Sequence, residues 1–172
     1  PIPSKCEAIQ KIPIPTTKKQ LRGFLGTIGL YRRFVPRFSE IAAPLTDLLS
    51  GKRKGDIVRD WKPPQQKAFN ALKSALAGQP VLKAPDFTEP FEIYTDASDI
   101  GIAAILTQQY DSVPLPVAYF SRKLLPRERN YSTIEKELLA LMSALSAYRI
   151  YVGNGPVIIN TDHNPLVWLS RT

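Results

Sequence analysis

Phe91-Glu-Ile-Tyr-Thr95, Asp96-Ala-Ser-Asp-Ile100 and Gly101-Ile-Ala-Ala-Ile-Leu-Thr107 follow one another without a break, and their reading decides the fold. The first segment alternates in the period of a half-buried strand. The third starts at a glycine and reads as a second strand. Gln109-Tyr-Asp-Ser112 predicts a turn and Val117-Ala-Tyr-Phe120 a third strand, so the three form an antiparallel meander. Downstream, Ser132-Thr-Ile-Glu135 is a capping box, which opens a long helix. That helix runs to about Tyr148, with Ile134, Leu138, Leu141, Met142, Leu145 and Tyr148 on one stripe. Gly153 and Gly155 end the region. Val157-Ile-Ile-Asn-Thr161 is a fourth strand, and Asn164-Pro165 starts a helix through Leu169. A helix between strands is a crossover, so the fourth strand should lie parallel to the first. The predicted class is α+β, a mixed α/β arrangement built on a mixed sheet.

Ahead of Pro80 the pattern is helical. Residues 1–15 carry Pro1, Pro3, Pro13 and Pro15 and read as an extended lead-in. Thr17-Lys-Lys-Gln20 fits a second capping box. A helix should follow to about Phe34, stopped by Pro36, with Leu21, Phe24, Leu25, Ile28 and Tyr31 inward. Ser39 and Pro44 open short helical turns through Leu49, and Lys52, Arg53 and Lys54 sit in a basic loop. Pro63-Pro64 start another helix, with Phe69, Leu72, Ala75 and Leu76 inward and Gly78 as C-cap. Three segments are expected: 1–50 helical, 51–85 a basic loop and connecting helix, and 86–172 the sheet domain.

Charge divides along the same line. Residues 1–85 hold 16 Lys+Arg against 5 Asp+Glu, whereas residues 86–172 hold 7 against 10. A basic half joined to a mildly acidic one points to one part gripping a polyanion and another working with carboxylates. Basic surfaces also serve solubility alone. Hydrophobic residues at 44% and charged residues at 22% mark a folded chain. No apolar run approaches the roughly 18 residues of a membrane span, so no membrane partner is expected and an intracellular setting is. Pro1-Ile2-Pro3-Ser4-Lys5 lacks a signal-peptide apolar core. Starting on Pro in place of Met, the chain is expected to be cut from something longer. One cysteine, Cys6, excludes an internal disulfide, and with His163 the single histidine a structural zinc site is excluded too.

Three carboxylates remain as chemistry. Asp96 follows the first strand and Asp162 the fourth. On adjacent parallel strands both meet at one sheet edge, outside the carboxyl ends, where open α/β sheets place ligands. Either alone also serves as an ordinary turn or cap residue. The third acid comes from the long helix. Taking about 100° per residue, Glu135 and Glu137 lie at opposite edges of the stripe, and periodicity cannot choose between them. The capping box can: Glu135 has the Ser132 backbone N–H as a local partner, leaving Glu137 for the site. Clustered like charges imply a cation, and carboxylates without His or Cys suit Mg²⁺. Two such ions, about 3.5–4 Å apart, activate water and stabilise the leaving oxygen of a phosphodiester.

Tyr94-Thr-Asp96-Ala-Ser-Asp-Ile-Gly101-Ile-Ala-Ala-Ile-Leu-Thr-Gln108 resembles the opening motif of the RNase H domain in gypsy-type long-terminal-repeat retrotransposon polyproteins. Ala118-Tyr-Phe-Ser-Arg122-Lys-Leu, Asn130-Tyr-Ser-Thr-Ile-Glu135-Lys-Glu137-Leu-Leu-Ala-Leu141 and Thr161-Asp162-His163 follow in that family's order. Leu21-Arg-Gly-Phe-Leu-Gly26-Thr-Ile-Gly-Leu-Tyr31-Arg-Arg-Phe34 and Ala43-Pro-Leu-Thr46 resemble the thumb at the end of the reverse transcriptase. The resemblance spans about residues 5–172. It implies a thumb-like segment and an RNase H-like domain of an RNA-directed DNA polymerase, cutting the RNA strand of RNA–DNA hybrids. It implies Asp96, Glu137 and Asp162 as catalytic acids holding two Mg²⁺ ions, with Mn²⁺ as a substitute. The family's domain continues further, with more strands, a helix and a fourth metal-binding Asp, so the RNase H-like part is expected to be C-terminally incomplete.

Expected partners are an RNA–DNA hybrid or template–primer duplex, and the rest of the polymerase or another chain completing the fold. Gly23, Gly26 and Gly29 recur every three residues on one helix. They admit either a nucleic-acid backbone, with Arg22, Arg32, Arg33 and Arg37 on flanking phosphates, or a second helix packed close. His163 reads as a capping or hydrogen-bonding residue ahead of a proton shuttle. Trp61, Trp168, Tyr31 and Phe34 read as packing residues. Two rivals stay open: a catalytically inactive, domesticated copy kept as a protein- or nucleic-acid-binding module, and a structural piece of a larger polymerase.

Overall fold

The computed structural model describes residues 8–50, 55–77, 82–153 and 155–161. The chain divides into two compact units, Pro1–Pro80 and Val81–Thr172. No helix among the described residues is long and apolar enough to cross a membrane.

The first unit contains helices α1 (Lys18–Gly29), α2 (Phe38–Ser50) and α3 (Pro63–Ala77). Thr17 caps α1 as the sequence predicts. The Gln20 N–H donates to Thr17 Oγ1 at 3.2 Å, and the Thr17 N–H donates back to Gln20 Oε1 at 3.2 Å. Helix α1 stops at Gly29, short of the expected Phe34, and Arg32–Phe34 form a separate 3₁₀ turn. Three glycines in its last seven residues lower helix propensity, and Pro36 bars a restart. Helix α2 is one helix with Pro44 inside it, not the short turns expected. Leu21, Phe24 and Ile28 of α1, Leu45 of α2 and Phe69, Leu72 and Leu76 of α3 share one core. Thus α3 is built into the helical unit, and the unit boundary falls at Pro80–Val81. Gly78 and Lys52–Lys54 lie outside the described residues.

The second unit is a four-stranded sheet, β1 (Phe91–Ala97), β2 (Gly101–Tyr110), β3 (Val113–Lys123) and β4 (Val157–Asn160), crossed by helix α4 (Thr133–Val152). Strand order is β3-β2-β1-β4. β1, β2 and β3 form the expected meander, and β4 pairs parallel with β1. Each meander strand is longer than the sequence suggested. The β2–β3 turn narrows to Asp111 and Ser112, both at positive φ, the geometry of a two-residue hairpin. Pro114 and Pro116 fit because β3 is an edge strand.

Helix α4 buries Leu141 and Tyr148 of the predicted stripe but turns Ile134 and Met142 outward, with alanines taking their place against the sheet. Ala144 and Tyr148 are buried with Phe91, Ile93, Leu106 and Val117, and Ala140 with Ile102 and Leu124, while Met142 is 59% exposed and Ile134 47%. Ala140 and Ala144 let the helix lie close to the sheet. The Tyr148 hydroxyl reaches the backbone carbonyls of Ala104 at 2.9 Å and Ala118 at 3.2 Å. The predicted helix at 164–169 lies outside the described residues.

Candidate active-site carboxylates and basic surface

Asp96 sits within β1 rather than beyond it: the ladder with β2 continues through Ala97, pairing Asp96 with Ala103. Its side chain is exposed. Glu137 occupies the second turn of α4 and is 5% exposed. Glu135, two residues earlier, is exposed and committed to the helix start. The Ser132 N–H donates to its Oε2 at 2.7 Å and the Ser132 hydroxyl at 2.8 Å. Those two bonds hold the Glu135 carboxyl below the usual range. The rotation of α4 thus separates two acids that periodicity left equivalent. Asp162 and His163 lie outside the described residues, as does Trp168. Among the described residues no group of three His, Cys, Asp or Glu gathers to hold a metal.

The elements carrying Asp96 and Glu137 are tied together by a pair the sequence reading did not single out. Lys136 Nζ donates to Asp99 Oδ1 at 2.7 Å, joining the β1–β2 corner to α4. A lysine between two glutamates was the signal, legible only once hairpin and helix are placed.

A second ion pair holds the approach to α4. Arg122 grips Glu128 with both guanidinium nitrogens, at 2.7 and 3.1 Å, and the Leu125 N–H adds a bond at 2.8 Å. Across the sheet, Glu92 accepts from the Tyr94 hydroxyl at 2.9 Å, Gln109 Nε2 at 2.8 Å and Asn160 Nδ2 at 3.4 Å. These bonds link β1, β2 and the end of β4.

The candidate donor set is all carboxylate, which suits a hard divalent ion such as Mg²⁺ and not the softer metals. A carboxylate as enclosed as Glu137 also needs positive charge or donors near it, because burying an ionised group alone is costly. Asp96 and Glu137, the two candidate donors among the described residues, are compatible in chemistry with such an ion.

In the helical unit, Arg22, Arg32, Arg33 and Arg37 are exposed. Arg32 lies 5.9 Å from the Phe38 ring centroid, Arg33 6.0 Å from that of Phe34, and Arg37 Nε pairs with Glu40 at 3.3 Å. A Cβ added at Gly23, Gly26 or Gly29 would meet nothing within 4 Å. Packing against another helix within the described residues therefore does not explain these glycines. Trp61 packs edge-on to Phe69 at 5.8 Å, and its indole N–H donates to Gln66 Oε1 at 2.9 Å. Tyr31 packs against the helical core.

The chain is 41% identical over 169 residues to the Retrovirus-related Pol polyprotein from transposon 297 of Drosophila melanogaster, covering 98% of this chain and 15% of the relative. It is 37% identical over 156 residues to the Transposon Tf2-3 polyprotein of Schizosaccharomyces pombe, covering 89% of this chain and 11% of the relative. The chain thus spans less than a fifth of the length of these relatives. The foamy viral protease-reverse transcriptase in complex with dsDNA superposes with a TM-score of 0.81 at 27% identity, over 98% of this chain and 35% of that one. The same protein in complex with an RNA/DNA hybrid gives 0.81 at 26% identity, over 98% and 22%. Residues 61–159, which run from Trp61 through α3, the meander and α4 into β4, match the family described as the RNase H-like domain found in reverse transcriptase. A meander crossed by one helix to a parallel strand is what that match covers, and the chain belongs to this reverse-transcriptase RNase H-like family.

Proposed function

We propose that this chain is the part of a retroelement reverse transcriptase that hydrolyses the RNA strand of RNA–DNA hybrids in its sheet unit and grips the nucleic acid on its basic helical unit. Asp96, Glu137 and Asp162 are the carboxylates that would hold Mg²⁺. The observation that carries the reading is the parallel register of β4 on β1, from Phe91↔Val157 to Tyr94↔Asn160. The strand that leads in sequence to Thr161-Asp162 therefore runs beside the strand that carries Asp96. Glu137 approaches the same end of the sheet, because its neighbour Lys136 contacts the corner that follows β1.

Held by these carboxylates, a pair of Mg²⁺ ions would supply activation of a water and stabilisation of the leaving oxygen. The chain's own residues bind and orient. Asp96 would contribute its carboxylate from β1, Glu137 from α4 and Asp162 from the segment that follows β4 in the sequence. The bond that Asn160 donates to Glu92 steadies the end of β4. On the helical unit, the open glycine face at Gly26 admits a backbone, and Arg22, Arg32, Arg33 and Arg37 meet phosphates without reading sequence. The foamy viral matches in complex with dsDNA and RNA/DNA hybrid support this assignment.

The test is Mg²⁺-dependent cleavage of a hybrid labelled in its RNA strand, beside single-stranded RNA and duplex DNA, by this chain and by the longer polyprotein carrying it. Hybrid-selective cleavage, lost in Asp96→Asn, is expected. Salt-sensitive hybrid binding without cleavage in either protein, with Mg²⁺ or Mn²⁺, would instead identify an inactive binding module.

A further inference from the structure

We propose that the Asp99–Lys136 ion pair is a positioning element of the candidate active site, locking the β1–β2 corner onto the start of α4 and so setting Asp96 against Glu137. This rests on reading those two acids as metal ligands.

The pair is poorly suited to a stabilising role alone. The Lys136 side chain is 11% exposed and that of Asp99 95%. An ion pair with one fully solvated partner contributes little, while ordering a long lysine costs side-chain entropy. An apolar residue would fill position 136 at less cost in desolvation. What distinguishes the pair is its placement. Lys136 immediately precedes Glu137, and Asp99 stands three residues after Asp96.

The corner between them is stiff enough to transmit position. The Ser98 N–H donates to Gly101 O at 2.9 Å, and Ser98 Oγ accepts from the Ile100 and Gly101 N–H groups at 3.3 and 3.1 Å. Asp99 would otherwise be a candidate for a further metal ligand, being the acid nearest Asp96 in the chain. Its carboxylate is instead engaged by Lys136.

Partners that orient metal-ligating groups commonly matter 10–100-fold in metal affinity or activity. The experiment is calorimetric titration of the chain with Mg²⁺ and Mn²⁺ for Asp99→Asn, Lys136→Met, their double variant and Lys136→Arg, with Asp96→Asn and Glu137→Gln as controls. Each single loss should weaken metal affinity about tenfold or more. The double variant should be no weaker than the worse single, and Lys136→Arg should retain most of the affinity. In hybrid cleavage, kcat should fall with KM unchanged. In the metal-free chain, Asp99→Asn should speed amide exchange in the first turns of α4 as well as at Gly101.

Unchanged metal affinity in both singles, or losses that multiply in the double variant, would overturn the proposal. So would a loss in Asp99→Asn as complete as in Asp96→Asn, because Asp99 would then be a ligand. If Asp96→Asn and Glu137→Gln leave affinity intact, the ligand reading itself fails. Amide exchange in the metal-free chain then still decides whether the pair couples corner to helix: no change on α4 rejects that coupling.

Discussion

Replacing Tyr148 by Phe isolates one hydroxyl in the core between α4 and the sheet. The residue is 2% exposed, and its ring packs edge-on to Phe120 and Tyr151, each at 6.4 Å between centroids. Phe keeps those contacts. What it loses is the hydroxyl shared between the Ala104 and Ala118 carbonyls. One hydroxyl carries one proton, so the loss is one net hydrogen bond, about 1 kcal/mol at neutral pH. Burial also pushes the Tyr148 phenol well above the usual tyrosine value. A raised folded-state pKa gives stability that is complete below the pKa of exposed tyrosine, about 10. That stability is lost as pH rises from there toward the folded-state value, because the unfolded chain ionises first. At pH 11, about one unit above that value, the loss is about 1.4 kcal/mol. Phe has no proton to lose. Tyr148→Phe should therefore be less stable than the parent by about 1 kcal/mol at pH 7 and match it near pH 11. Tyr94 and Tyr119 are raised too, but both proteins carry them and their effect cancels in the difference. Urea unfolding followed by circular dichroism at the two pH values measures the gap. A gap as large at pH 11 as at pH 7 would refute the reasoning.

Other consequences are equally open to measurement. Arg122 holds the Glu128 carboxyl below its usual range, so this pair's stability is present above the ordinary Glu value and lost as pH falls through the folded-state value. Thermal unfolding should find Glu128→Gln destabilised by about 1.5–3 kcal/mol at pH 7, with the deficit shrinking in acid. Gly26→Ala should stabilise α1 by up to about 1 kcal/mol, since helix propensity improves and a Cβ there meets nothing. The same change should weaken hybrid affinity, and unaltered affinity would remove Gly26 from the interface. Replacing Arg32 and Arg33 together by Ala should lower the slope of log affinity against log salt by about 2; an unchanged slope would exclude them.

Topology was legible because it depends on period. Alternation from Phe91, the capping box at Ser132 and the β-favouring run from Val157 each name an element, and a helix between strands implies the parallel return seen in β4. Rotation of α4 was not legible, because hydrophobicity ranks Met142 above Ala144 whereas close approach to the sheet favours alanine. The choice of Glu137 over Glu135 rested on a hydrogen bond between near neighbours, and that bond is present. The Asp99–Lys136 and Arg122–Glu128 pairs escaped notice for the opposite reason: each joins segments whose proximity is set by the completed fold. The ends of α1 and the strands shifted because ladder pairing extends a strand past its pattern and glycine shortens a helix.

The most direct test of the central claim compares two residues in the first turns of α4. Mg²⁺ binding and hybrid cleavage should be measured for Glu137→Gln and Glu135→Gln, in this chain and in a form extended at its C-terminus. Glu137→Gln should weaken metal binding and abolish cleavage while leaving metal-free stability equal or higher, because it relieves repulsion among carboxylates. Glu135→Gln should change neither, because Gln also completes a capping box. Loss of metal binding and cleavage in Glu135→Gln, with both intact in Glu137→Gln, would contradict the account.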